Sequence, residues 1–112
     1  MKLAIIGSRT LGEQDISRFI PPGVTEIVSG GARGIDRQAA AYARANGIPL
    51  TEFFPDYARY GRGAPHRRNR QIAEYAEAAL VIWDGCSRGT QHTADLFREQ
   101  QKPVTVVVLK GE

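Results

Sequence analysis

The chain predicts a three-layer α/β/α fold around a mainly parallel sheet of about five strands. Short apolar runs alternate with stretches of helical period, the order that places parallel strands between crossover helices. Turns rich in Gly, Ser and Arg bound these runs, and right-handed crossovers then leave few topologies. With 112 residues, 42% of them hydrophobic and 24% charged, the chain fits one domain, residues 1–112, with a single core.

Taken in order, residues 2–6 read as a buried strand that stops at Gly7-Ser8-Arg9. Residues 15–20 are expected as a helix, closed by Pro21-Pro22-Gly23. Residues 26–28 form a second strand, followed at once by Ser29-Gly30-Gly31-Ala32-Arg33-Gly34. Residues 35–46 are an Ala-rich helix with Gly47 as its stop. A third strand covers 49–54, and 55–65 is a long Gly/Arg/Tyr loop. Residues 66–77 carry the helical period, with Ile72, Tyr75, Ala76 and Ala79 on one stripe. A buried strand over 79–83, a turn over 85–89, a helix over 90–101 and a last strand over 104–109 complete the pattern. There is no internal repeat and no low-complexity segment.

Composition removes several classes of function. The longest apolar runs, 3–6 and 78–83, fall far short of the roughly 20 residues a membrane helix needs. Gly7, Ser8 and Arg9 interrupt the first run too early for a secretory signal. The lone Cys86 excludes an internal disulfide and a multi-cysteine metal site, and fits a cytoplasmic protein. The formal charge is only +3, but Arg59, Arg62, Arg67, Arg68 and Arg70 fall in one acid-free stretch, so the remainder is net negative. Planar guanidinium groups suit bidentate contact with phosphate.

In open parallel sheets, ligands bind beyond the carboxyl ends of the strands. The turns Gly7-Ser8-Arg9, Ser29-Gly30-Gly31-Ala32-Arg33-Gly34 and Asp84-Gly85-Cys86-Ser87-Arg88-Gly89-Thr90 all fall at such ends. Glycines there admit close approach of backbone to a ligand, and the free amides and dipole of a following helix favour an anion. Arg33 is a candidate clamp, and Asp36 caps its helix or receives a ribose hydroxyl. Ser87 and Thr90 cap the later helix or bind phosphate. Arg68 lies on the apolar stripe of its helix, so it either snorkels outward or aims into the crevice; Asn69 has the same choice, whereas Arg67 and Arg70 face solvent. Two helix starts and one guanidinium supply a few kcal/mol of anion affinity, at roughly 0.3–2 per dipole and 1.5–3 per charged hydrogen bond.

Other motifs fail. Gly7 to Gly12 has phosphate-loop spacing, but Glu13 stands where the lysine belongs. No G-x-G-x-x-G occurs. Gly85-Cys86-Ser87-Arg88-Gly89 matches a nucleophile elbow, yet no later acid is followed by a histidine. His66 and His92 read as surface histidines without ligand-like partners, so no metal site is assigned. Cys86 with His92 as a thiol nucleophile has no support beyond proximity in sequence.

Gly7-Ser8-Arg9, Val28-Ser29-Gly30-Gly31-Ala32-Arg33-Gly34-Ile35-Asp36, His66-Arg67-Arg68-Asn69-Arg70-Gln71-Ile72-Ala73 and Ser87-Arg88-Gly89-Thr90 together resemble the SLOG superfamily. Its small YspA/YpsA-related members and the core of the DNA-processing protein DprA are the nearest in pattern. The resemblance implies a Rossmann-like domain with a pocket for nucleotide-derived ligands at its strand ends. The Lonely Guy branch of the superfamily hydrolyses nucleoside monophosphates with an Arg and the Glu of P-G-G-x-G-T-x-x-E. Arg68 falls where that Arg would lie, whereas Thr93 replaces the Glu and Gly85-Cys86-Ser87 replaces P-G-G. Asp36 and Asp95 are the acids that could stand in.

The leading expectation is therefore binding of a nucleotide-like small molecule (AMP, ADP-ribose or NAD-like) as a sensor or carrier, with no resident cofactor assigned. The expected ligand residues are Gly7, Ser8, Arg9, Ser29, Gly30, Gly31, Arg33, Gly34, Asp36, Arg68, Asn69, Asp84, Ser87, Gly89 and Thr90. A nucleotide N-glycosidase or phosphoribohydrolase is the second reading. A third is single-stranded nucleic-acid binding through residues 59–70, with Tyr57 and Tyr60 as stacking platforms. Pairing into a homo-oligomer is also expected from the resemblance to DprA-like cores.

Overall fold

A computed structural model describes residues 1–12, 15–31 and 34–110. Among these, five strands form one sheet: β1 (Lys2–Gly7), β2 (Glu26–Ser29), β3 (Leu50–Glu52), β4 (Ala78–Trp83) and β5 (Val104–Val108). All pairings are parallel and the order is β3-β2-β1-β4-β5. The helices are α1 (Ile35–Ala45), α2 (Tyr57–Tyr60), α3 (Ala64–Tyr75) and α4 (Arg88–Glu99).

Strand period builds two cores from one sheet. On one face, Leu3, Ile5, Ile27, Leu80 and Ile82 pack with Ile35, Ala39 and Ala43 of α1. On the other, Ala4, Val28, Ala79 and Val81 pack with Ile72 and Ala73 of α3 and Leu96 and Phe97 of α4. Side chains alternate across a strand, so the nearly continuous apolar runs of β1 and β4 can serve both layers. The outcome is the expected three-layer, Rossmann-like arrangement.

Three expected elements differ. Residues 15–20 make a single 3₁₀ turn, Ser17–Phe19, rather than a helix. Asp15 holds the backbone N–H and hydroxyl of Ser17, and Ile16 is buried in the core, which together favour a tight turn before Pro21-Pro22. The expected loop over 55–65 contains α2, a 3₁₀ turn Gly61–Gly63 and the start of α3. The Asp56 carboxylate accepts the Arg59 N–H and begins α2, and Pro65 occupies the first turn of α3, where its missing N–H costs nothing. The third strand is shorter than expected, although Phe53 N–H still reaches the Ser29 carbonyl.

Candidate functional site

The sheet order changes direction between β1 and β4: β1 leads outward to β2, and β4 leads to β5 on the opposite side. A crevice opens at such a switch point. Here it is a cleft of about 290 Å³. Its walls are Ile6 and Gly7 from β1, Arg9 and Thr10 from the next turn, Gly30 after β2, and Asp36 in the first turn of α1. Pro65, Arg68, Asn69 and Ile72 of α3 face Ser87, Gly89, Thr90 and Thr93 around the start of α4.

Arg68 is the most constrained charge in the cleft. Its stripe position on α3 carries it inward, so the residue is only 9% exposed. The guanidinium donates to the Gly30 carbonyl at 2.7 Å and to Asn69 Oδ1 at 2.8 Å. Burial lowers its pKa from the ordinary arginine value, opposed by the nearby Asp36 carboxylate. A Cβ added at Gly30 would sit 2.7 Å from Arg68 Nη1 and 3.1 Å from Asp36 Oδ2. A side chain at this position would displace the inward Arg68 guanidinium from the space it takes up.

At the opposite end, Asp84 organises the turn into α4. Its carboxylate accepts from Cys86 N–H at 2.9 Å, Ser87 N–H at 2.7 Å, the Ser87 hydroxyl at 2.6 Å and the Thr10 hydroxyl at 2.6 Å. These donors hold the carboxyl far below the usual carboxylate range. The Ser87 hydroxyl is thereby engaged and makes no cap bond to α4, and Gly89 and Thr90 in the first turn of that helix line the cleft. Buried Ser8 ties the two turns together, accepting from Asp84 N–H at 3.1 Å and lying 3.3 Å from the Thr90 hydroxyl.

Of the expected ligand residues, Gly7, Arg9, Gly30, Asp36, Arg68, Asn69, Ser87, Gly89 and Thr90 line this one cleft. Ser8, Ser29 and Asp84 support its walls from behind: Ser29 Oγ accepts the Gly31 N–H at 3.4 Å, and Asp84 is taken up by the turn. Gly31 lies beneath the Phe54 ring, and Gly34 (φ +74°) precedes α1 with its Cα facing the Gly12 backbone. Arg33 lies outside the described residues. Asp36 lines the cleft wall in the first turn of α1, and its negative charge opposes an anion at that helix start.

Sequence reasoning missed Thr10, whose hydroxyl partners an aspartate 74 residues away. It also gave no reason to pair His66 with His92, yet their exposed rings meet edge to face with centroids 5.1 Å apart. Among the described residues no group of three His, Cys, Asp or Glu could hold a metal ion. Cys86 is exposed, and the Asp84 charge beside it pushes the thiol pKa up, the reverse of nucleophile activation. Thr93 donates its hydroxyl to the Gly89 carbonyl at 3.0 Å. Asp95 instead pairs with Arg98 on the exposed face of α4. No described helix is long and apolar enough to cross a membrane.

Residues 1–60, which hold β1, β2, α1 and β3, match the family model of the YspA, cpYpsA-related SLOG family. No curated protein and no solved structure matches the chain. With more than half of its length covered by that match, and with the cleft of a Rossmann-like sheet at its switch point, the chain belongs to the YspA/cpYpsA-related SLOG family.

Proposed function

We propose that residues 1–112 act as one domain that binds a nucleotide or nucleotide-derived ligand in the cleft, as a sensor or carrier. One observation carries the reading: the first turn of α4, whose amides Ser87 does not cap, lines one crevice together with the cations Arg9 and Arg68. An anionic group at the start of α4 meets N–H donors and a helix dipole worth about 0.3–1 kcal/mol, up to about 2 where partly buried. A guanidinium contact adds about 1.5–3 kcal/mol. Asp36 and Asn69, at the other end, suit sugar hydroxyls. Nucleotide-related chemistry is also what SLOG membership is consistent with.

Calorimetry against AMP, ADP-ribose, NAD and cyclic nucleotides tests the proposal. Saturable heat with at least one of them, with affinity about tenfold or more weaker in Arg68→Ala, is the expected result. No heat from any would overturn it.

A second reading, hydrolysis of a nucleotide N-glycosidic bond, draws on Asp36. Asp36 is 8% exposed and lines the same cleft as Arg68, so a carboxylate is present although Thr93 replaces the usual one. Free base released by the wild type and abolished in Asp36→Asn would support catalysis. Binding without base release leaves the sensor or carrier role alone.

A further inference from the structure

A second cavity, also about 290 Å³, lies on the β3 side of the cleft, and the buried Arg68 lines both. Its walls include Phe54, Tyr60, Arg59 and Arg67, with Glu52 and Asp56. Phe54 is 61% exposed, an unusual position for a ring, yet it is not loosely placed. Its Cε1 and Cδ1 atoms rest on Gly31, where an added Cβ would stand 2.2 and 2.7 Å from them. One part of the ring is seated on the turn after β2 and the rest faces water.

Two guanidiniums lie over the Tyr60 ring, Arg59 at 5.3 Å and Arg67 at 4.9 Å from its centroid. Stacking on an aromatic ring leaves the N–H edge of a guanidinium available to a phosphate. Of the two acids, Asp56 is occupied in capping α2, and Glu52 suits a hydroxyl rather than an anion.

From these observations we infer that the second cavity takes the base-bearing half of a dinucleotide whose other half occupies the cleft. The inference rests on the nucleotide-binding reading above and names the ligand class. Arg68 lines both cavities, so phosphates bound beside it have a cavity on either side, and a ligand with one nucleoside on each side of its phosphates fills both where a single nucleotide fills one. Arg68, between the cavities, then lies beside the linking phosphates. The second base stacks on Phe54, a contact that tolerates different bases because each has a π-face.

The test is titration calorimetry of the full chain with AMP, ADP-ribose and NAD, in the wild type, Phe54→Ala, Phe54→Tyr and Arg67→Met. The expected result is NAD binding about tenfold or more tighter than AMP, the effect of one stacked base, with ADP-ribose, which lacks the second base, falling short of NAD. The NAD-to-AMP affinity ratio falls to about one in Phe54→Ala, drops in Arg67→Met and is kept in Phe54→Tyr. If AMP binds but NAD binds no tighter, or if the ratio survives Phe54→Ala, the second subsite is refuted and the cleft reading stands. If none of the three binds, both readings fall. A single-stranded oligonucleotide that binds more tightly than NAD, with steep salt dependence, overturns the dinucleotide in favour of a polymer surface.

Discussion

Gly7→Ala separates a glycine kept for a ligand from one kept for packing. Gly7 lines the cleft, but an added Cβ would lie 2.2 Å from both Cβ and Cγ1 of Ile35 and 2.5 Å from its Cγ2. Ordinary contact begins near 3.4 Å. No rotamer of Ile35 relieves a clash with its own Cβ, so the start of α1 must retreat by about 1 Å, which a close-packed interior resists. Ile35 is fully buried, and Asp36 moves with it. Overpacking costs about 1–3 kcal/mol, and a clash that side-chain rotation cannot relieve belongs at the upper end, about 3 kcal/mol. In a domain of this size the melting temperature should then fall by about 10 °C, and the urea midpoint by at least about 1 M with unchanged slope. Gly89→Ala is the matched control: it also lines the cleft, it lies in α4, and an added Cβ meets nothing within 4 Å. That variant should be as stable as the wild type or more so, by up to about 1 kcal/mol. A Gly7→Ala protein within about 0.5 kcal/mol of wild type, the range of harmless surface changes, would refute the packing argument.

Arg68→Ala should weaken AMP about tenfold or more, the equivalent of one charged hydrogen bond, as read by calorimetry. Phe97→Ala, at a fully buried site between α4 and the sheet, should cost about 3–5 kcal/mol in chemical denaturation. The pH dependence follows from two carboxylates. Ser87 and Thr10 donate to Asp84, and Tyr75 and Thr51 donate to Glu26, and in both cases the folded pKa is lowered. The stability they contribute is complete above their unfolded values, about pH 3.9 and 4.3, and is lost as pH falls through the lower folded values. Thermal melts from pH 7 to 2 should show this acid limb, and it should be shallower in Asp84→Asn, which keeps an acceptor for the backbone but loses the charge.

The order of strands and helices was legible in the residues because buried parallel strands read as apolar runs and Gly-rich turns punctuate them. Seven of the nine expected ligand residues in the cleft share it for the same reason, since the chain leaving β1, β2 and β4 must emerge on one edge of a parallel sheet, whereas Arg68 and Asn69 come from α3. Local hydrogen bonding was harder to read. Asp15 and Asp56 each use a carboxylate to close a turn, and such side-chain-to-backbone competition leaves no periodic trace.

The sequence by itself determined the sheet, its two apolar faces and the side of the molecule on which the unusual residues gather, because strand period and turn chemistry are local. Only tertiary structure decided the roles within that group. It turned Arg68 inward against Gly30, drew Asp84 into the α4 turn through Thr10, and set Phe54 upon Gly31. Each of these contacts joins residues far apart in the chain, and whether they meet is fixed by the packing of helices across the sheet rather than by local sequence spacing.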